Sequence, residues 1–259
     1  MNTTEVLALY DRQQRIDIDY PRTRKEVLPH LTRFVTASNE PSFILHSRLQ
    51  GADVDAVIRE QIAYFAGLNQ RFEWKAFDHD FPPDLKERLV AHGLEMEGPD
   101  AVMVLDLAQA PAELLASPAA TVRRLTTATE LQDVTRIGQQ VWEENYDWLI
   151  ARLAEDLGIP GFLSVYAAYV DQEPASAGWI YFHPNSAFAS LWGGSTVAAF
   201  RNRGLYTAVL AARAQEAIRR GCRFLTIDAG DMSRPIAAKH GFQTLTHTHS
   251  CNWKPAGAS

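Results

Sequence analysis

The chain is poor in cysteine: 259 residues hold two, Cys222 and Cys251, and neither belongs to a C-x-x-C pair. Zinc ribbons and thioredoxin-like redox sites need such pairs, and disulfide frameworks need more cysteines in a shorter chain. Two idle or buried thiols in a reducing compartment are expected. Excess basic charge is also missing, since 25 Lys and Arg stand against 31 Asp and Glu, for a net charge of −6. No overall positive field recruits nucleic acid or an acidic membrane. No apolar run reaches the roughly 20 residues that span a bilayer. The opening stretch, MNTTEVLALYDRQQR, lacks the apolar centre of a secretion signal, so a cytoplasmic protein is expected. Two phosphate-binding fingerprints are absent, G-x-x-x-x-G-K-[ST] and G-x-G-x-x-G, which removes the P-loop and dinucleotide-binding readings.

What is present is an ordinary globular balance, with 46% apolar and 22% charged residues, enough for one large or two small domains. Val54, Val57, Ile58, Ile62 and Phe65 recur at helical spacing, which predicts a helix over 53–68 with Asp53 or Asp55 at its start. FEWKAF at 72–77 reads as a strand. LKERLVAHGLE reads as a short helix stopped by Gly93, and AVMVLDL at 101–107 as a strand. AQAPAELLASPAA, from 108 to 120, has the small residues and prolines of a linker. A boundary near 118 divides the chain into 1–118 and 119–259.

The second part restarts with the strand TVRRLT. Two helices follow, near 130–142 and 146–158, then a three-stranded meander: FLSVYAAYVD, SAGWIYFHP and FASLWGGSTV. A long alanine-rich helix comes after Gly204. RFLTIDAG is a strand, SRPIAAKHGF a short helix, and FQTLTHTHSCNW the last strand. LVAHGLE near Gly93 echoes AAKHGFQ near Gly241, each a short helix, a glycine stop and a strand, as two related halves would give.

The stretch FRNRGLYTAV carries the chemistry. A helix N-terminus presents free N–H groups and partial positive charge, and glycine lets a ligand come close to the backbone. Arg201 and Arg203 add full charge and forked donors. Together they make a site for an anion, most naturally phosphate.

The order strand, R-x-x-G turn, long helix, strand, short helix, G-F, strand resembles the GCN5-related N-acetyltransferases. Their Q/R-x-x-G-x-G/A signature stands here as Arg201-Asn202-Arg203-Gly204-Leu205-Tyr206, with Tyr206 where Gly or Ala is usual. The resemblance covers about 121–253. The first half resembles a degenerate copy of the same fold, and shows no R-x-x-G turn opening a helix at the corresponding place. The fold class implied is α/β (α+β): tandem domains, each a mixed, mostly antiparallel sheet flanked by helices. The first is expected to support the fold or shape the substrate cleft.

By the same resemblance the donor is acetyl-coenzyme A, with no metal. Gly194, Ser195 and Thr196 are expected along the pantetheine arm. Arg201, Asn202, Arg203, Gly204, Leu205, Tyr206 and Thr207 are expected around the pyrophosphate, and Ser233 near the cofactor. Backbone N–H groups near Gly194 and Ser195 would stabilise the oxyanion. The family's general acid is often a tyrosine four residues before the glycine of G-F; Ala237 stands there. Tyr206, Ser233 or solvent are the substitutes.

For the general base, Glu143 and Glu144 in WEENYDW are the best local candidates, since a carboxylate beside Trp142 could have a raised pKa. Asp147, Asp228, His183, His247 and His249 are weaker ones. Trp142, Tyr146, Trp148, Trp179 and Trp192 could line an acceptor cleft, but their spacing favours the core for most of them. The expected partner is a small-molecule amine, with neither nucleic acid nor membrane; homodimerisation is left open. Two functions follow: an N-acetyltransferase acting on an amine, or an acyl-coenzyme A-binding sensor or scaffold without catalysis.

Overall fold

A computed structural model of the chain describes residues 2–37, 40–117, 120–142 and 147–255. The chain forms two compact units that are not consecutive in sequence. Unit 1 comprises 1–103, 228–238 and 243–259; unit 2 comprises 104–227 and 239–242.

Unit 1 begins with helix α1 (Thr3–Tyr10), capped by Asn2 and continued by a wide helical turn over Asp11–Ile16. Strands β1 (Thr23–Val27), β2 (Leu31–Thr36) and β3 (Ser42–Ser47) follow. Next come α2 (Val54–Gly67), β4 (Phe72–Phe77), α3 (Leu85–Ala91) and β5 (Glu95–Asp106). The C-terminal strand, β11 (Gln243–Trp253), lies between β4 and β5, giving the order β1-β2-β3-β4-β11-β5. β1 and β2, β2 and β3, and β4 and β11 pair antiparallel; β3 and β4 pair parallel. The predicted helix at 53–68 is α2: Asp53 accepts from Ala56 N at 3.0 Å, and Ile58, Gln61 and Phe65 turn inward at helical spacing. Ile58 and Phe65 pack with Leu49, Trp74, Leu85 and Leu89 in one core.

The three strands before residue 50 escaped the sequence reading. In β2 every residue is buried, polar ones included. Arg33 lies over the ring of Tyr64 at 3.3 Å, pairs with Glu26 at 2.6 Å and donates to Gln61 at 2.8 Å. An alternation of apolar and polar residues therefore never shows.

Unit 2 takes the last residues of β5, then α4 (Ala112–Leu115), β6 (Thr121–Leu125), α5 (Gln132–Trp142) and α6 (Asp147–Leu157). The meander is β7 (Leu163–Val170), β8 (Glu173–Phe182) and β9 (Phe188–Thr196), followed by α7 (Leu205–Arg219) and β10 (Phe224–Ala229). The strand order is β10-β9-β8-β7-β6, antiparallel except for β9 with β10. Ala208, Ala211, Ala214 and Ala217 of α7 are buried three apart, so the helix backbone can lie close to the sheet. The short helix α8 (Arg234–Lys239) precedes Gly241. Cys222 and Cys251 are both free thiols. Among the described residues no helix is long and apolar enough to cross a membrane.

Candidate cofactor and acceptor site

The site in unit 2 begins where two strands part. β9 and β10 pair in parallel over three positions, Phe188 with Phe224 to Ser190 with Thr226. β9 then runs on to Thr196 without β10, which leaves one backbone edge of that stretch unpaired by a strand. An extended polar chain can hydrogen-bond such an edge as a further strand would.

On its other side β9 pairs with β8, and the register slips. Ala177 faces Ser195 while Gly178 faces Gly193, so Gly194 is an extra, bulged residue. Gly193 and Gly194 hold φ at +70° and +93°. A β-carbon on Gly193 would stand 2.3 Å from the ring of Trp179, and one on Gly194 would stand 3.1 Å from the ring of Tyr206. Only glycine meets both demands, so aromatic rings close on the bulge from β8 and from α7.

Beneath the bulge lies Arg213 of α7, 2% exposed. Its Nη1 donates to the carbonyls of Trp179 and Trp192, each at 3.2 Å, and its Nε to Val209 O at 3.3 Å. Burial pulls the guanidinium down to about 10. It remains a cation at neutral pH, fixing one carbonyl of β8 and one of β9 beside the bulge.

β9 leads into the R-x-x-G turn. Asn202 and Gly204 are both left-handed, at φ +62° and +74°. Gly204 opens α7 with no side-chain cap, and the first turn holds no acidic residue. The first bond of the helix runs from Ala208 N to Gly204 O at 2.9 Å. The N–H groups before it face the turn, where Arg201, Asn202, Arg203 and Gly204 are all exposed. Arg201 Nε donates to Thr196 O at 3.3 Å, and the guanidinium of Arg203 stands 5.7 Å from the ring of Phe200. Tyr206, in the place of the family's small residue, lies 5.8 Å from the ring of His240. His240 meets Glu113 at 2.7 Å and Thr207 at 3.5 Å.

A cleft of about 220 Å³ opens beside the bulge, lined by Val134, Ile137, Trp142, Leu149, Trp179 and Ser195, among others. Trp142 Nε1 donates to Ser195 Oγ at 3.1 Å. The core expectation fails for three tryptophans, since Trp142, Trp148 and Trp192 are 50%, 62% and 53% exposed, while Trp179 packs against the buried core. Helical and alternating spacing marks a face, but not whether another element covers it.

Gly194 to Thr207 are thus brought together along one strand, turn and helix start. Ser233 falls in unit 1, where its Oγ donates to Gly230 O at 3.2 Å. Ala237 is buried in α8. Glu143 and Glu144 lie outside the described residues, as does Tyr146 and the side chain of Asp147. Asp228 is an ion-pair partner of Lys75 in unit 1, and His183 is buried against the ring of Phe162. His247 and His249 stand 3.5 and 3.7 Å from Asp78, also in unit 1. The bulge, the parting of β9 from β10, and Arg213 were missed; the pair Gly193-Gly194 inside a strand was the available signal.

No protein-family model matches the sequence, and no curated protein does. Solved structures do match it in shape. A GCN5-related N-acetyltransferase from Kribbella flavida superposes with a TM-score of 0.72 at 15% identity, over 99% of this chain and 96% of that one. A tandem GNAT protein from the clavulanic acid biosynthesis pathway gives 0.65 at 14% identity, over 100% and 89%. A GNAT-family acetyltransferase from Colwellia psychrerythraea gives 0.57 at 11% identity, over 97% and 96%. The chain therefore has the GCN5-related N-acetyltransferase fold, and the likeness extends over nearly its whole length.

Proposed function

From that fold we propose that the protein transfers an acetyl group from acetyl-coenzyme A to the amine of a small-molecule acceptor. One observation carries the reading: an unpaired strand edge, a glycine bulge and an uncapped helix start with two exposed arginines follow one another within 188–207. The donor set suits acetyl-coenzyme A, with amide groups for a polar arm and cations with helix N–H groups for a pyrophosphate. Gly194, Ser195 and Thr196 would hold the arm, and Arg201 to Thr207 the phosphates. We also read 1–118 and 119–259 as two copies of one fold.

Acetyl-coenzyme A supplies the thioester, whose C–S bond breaks as the acceptor nitrogen takes the acetyl group. The amine must arrive without its extra proton, and Glu143 or Glu144, next in sequence to the cleft residue Trp142, is proposed to remove it. Backbone N–H groups at the bulge are proposed to meet the negative charge on the carbonyl oxygen. The departing sulfur needs a proton more weakly than an oxygen would, since thiol pKa is near 8.5. Solvent or Tyr206 can supply it in the absence of a tyrosine at 237.

Ala237 supports the second reading, an acyl-coenzyme A sensor or scaffold without turnover. Thiol release from acetyl-coenzyme A over an amine panel separates the two. Release that needs both the amine and an intact turn supports transfer. Tight acetyl-coenzyme A binding without release to any amine supports the sensor, and absence of binding rejects both.

A further inference from the structure

Unit 1 holds the same device a second time. β2 and β3 slip register between Thr32 with His46 and Arg33 with Ile44, so Leu45 is a bulged residue, as Gly194 is in β9. β3 and β4 pair in parallel over three positions, Ser42 with Phe72 to Ile44 with Trp74, then part. A turn follows, Arg48-Leu49-Gln50-Gly51, with Gly51 at φ +79°, and α2 begins three residues later. The first half therefore does carry an R-x-x-G turn ahead of a helix, contrary to the sequence reading. Without β3 there was no strand to mark its place.

Here the wedge between the parted strands is filled. Arg15, 1% exposed, lies between them. Its Nε donates to the carbonyl of the bulged Leu45 at 2.8 Å. Its Nη2 donates to both oxygens of Asp80, at 2.6 and 2.8 Å, and its guanidinium carbon stands 3.8 Å from the centre of the Phe77 ring. Asp80 in turn accepts from Phe77 N at 3.0 Å. Asp11 pairs with Arg15 at 2.7 Å, and His79 stands 3.0 Å from Asp11. Beyond the guanidinium the strands close again through a parallel bridge of Arg48 with Phe81.

The charges also differ from those in unit 2. α2 is capped by Asp53 and carries Asp55 in its first turn, where α7 has neither cap nor acid. Carboxylates thus face the wedge and occupy the helix start, which repels an anion and suits a cation.

We infer that the N-terminal segment Thr3–Ile16 is the built-in ligand of this second wedge, with Arg15 in the place a coenzyme A arm would take. Unit 1 is then closed to coenzyme A, and the chain takes one, in unit 2. The count in unit 2 rests on the proposed function; the filling of unit 1 does not.

The test uses the full chain with coenzyme A as probe. Calorimetry is expected to give one equivalent for the wild type and none for Gly204→Asp. Amide exchange at Leu45–Ser47 and Phe77–Asp80 should be slow without coenzyme A and unchanged by it. Arg15→Ala should raise exchange there at least tenfold, and Arg15→Lys less, while α7 stays protected. A second equivalent in the wild type, or coenzyme A binding by Gly204→Asp that slows exchange at Leu45–Ser47, would overturn the inference. So would unchanged exchange at those amides in Arg15→Ala. If coenzyme A binds neither protein, the transferase reading fails and the exchange comparison alone decides the filling of the wedge.

Discussion

The ring of Tyr206 lies against Gly194, 3.1 Å from where a β-carbon on that glycine would project, while Gly194 itself holds φ at +93°. Gly194→Ala therefore meets two obstacles at once, a left-handed backbone costing about 1–3 kcal/mol and a ring in the way. The expected outcome is at least a tenfold loss of acetyl-coenzyme A affinity by calorimetry. Tyr206→Ala added to Gly194→Ala should recover part of it, because the ring contact is then gone.

At the turn, Arg201→Ala and Arg203→Ala each remove an exposed cation beside the uncapped start of α7. A hydrogen bond to a charged group is worth about 1.5–3 kcal/mol, so each change should weaken coenzyme A binding by about 10- to 100-fold. Pantetheine, which lacks the pyrophosphate, should not distinguish the variants from wild type. Raising the salt should reduce wild-type affinity more than that of either variant.

Gly193→Ala probes the bulge as structure. The new methyl would stand 2.3 Å from Trp179, and the backbone is left-handed there as well. Overpacking costs about 1–3 kcal/mol, and the strain adds to it. A thermal scan should show a lower Tm for Gly193→Ala than for Gly194→Ala, whose ring neighbour is farther away.

The Arg15–Asp80 pair is nearly sealed from solvent, with side chains 2% and 4% exposed. Breaking a buried pair by removing one partner costs about 3–5 kcal/mol, because the other charge is stranded. Arg15→Ala and Asp80→Ala should each lower the unfolding free energy from urea denaturation by that amount. The double variant should lose less than the sum of the two.

Acid should weaken unit 1 through Asp11. Burial raises its pKa, but hydrogen bonding to His79 and the charge of Arg15 outweigh this and hold it below the ordinary carboxylate value. A carboxylate depressed in the folded state adds stability above its unfolded pKa and loses it as pH falls through the folded value. Between pH 6 and pH 3 the wild type should therefore lose more unfolding free energy than Asp11→Asn, measured by urea denaturation at each pH.

Local signals in the sequence located most elements after residue 50. The helix over 53–68 followed from its apolar spacing and Asp53, and the start of α7 from Arg201 and Gly204. The echo between the HG stops is real in shape, since Gly93 and Gly241 hold φ at +89° and +88°. Such features depend on neighbours a few residues apart, so periodicity, caps and glycines report them directly. Tertiary structure alone decided the rest. The bulge at Gly194 exists because β8 and β9 pair in a slipped register, and Trp142 sits half exposed at a cleft instead of in the core. Arg15 and Asp80 stand 65 residues apart and meet only once β3 and β4 have parted around them. Pairing across such a separation depends on which strands lie side by side, a property of the folded chain that no short window of sequence contains.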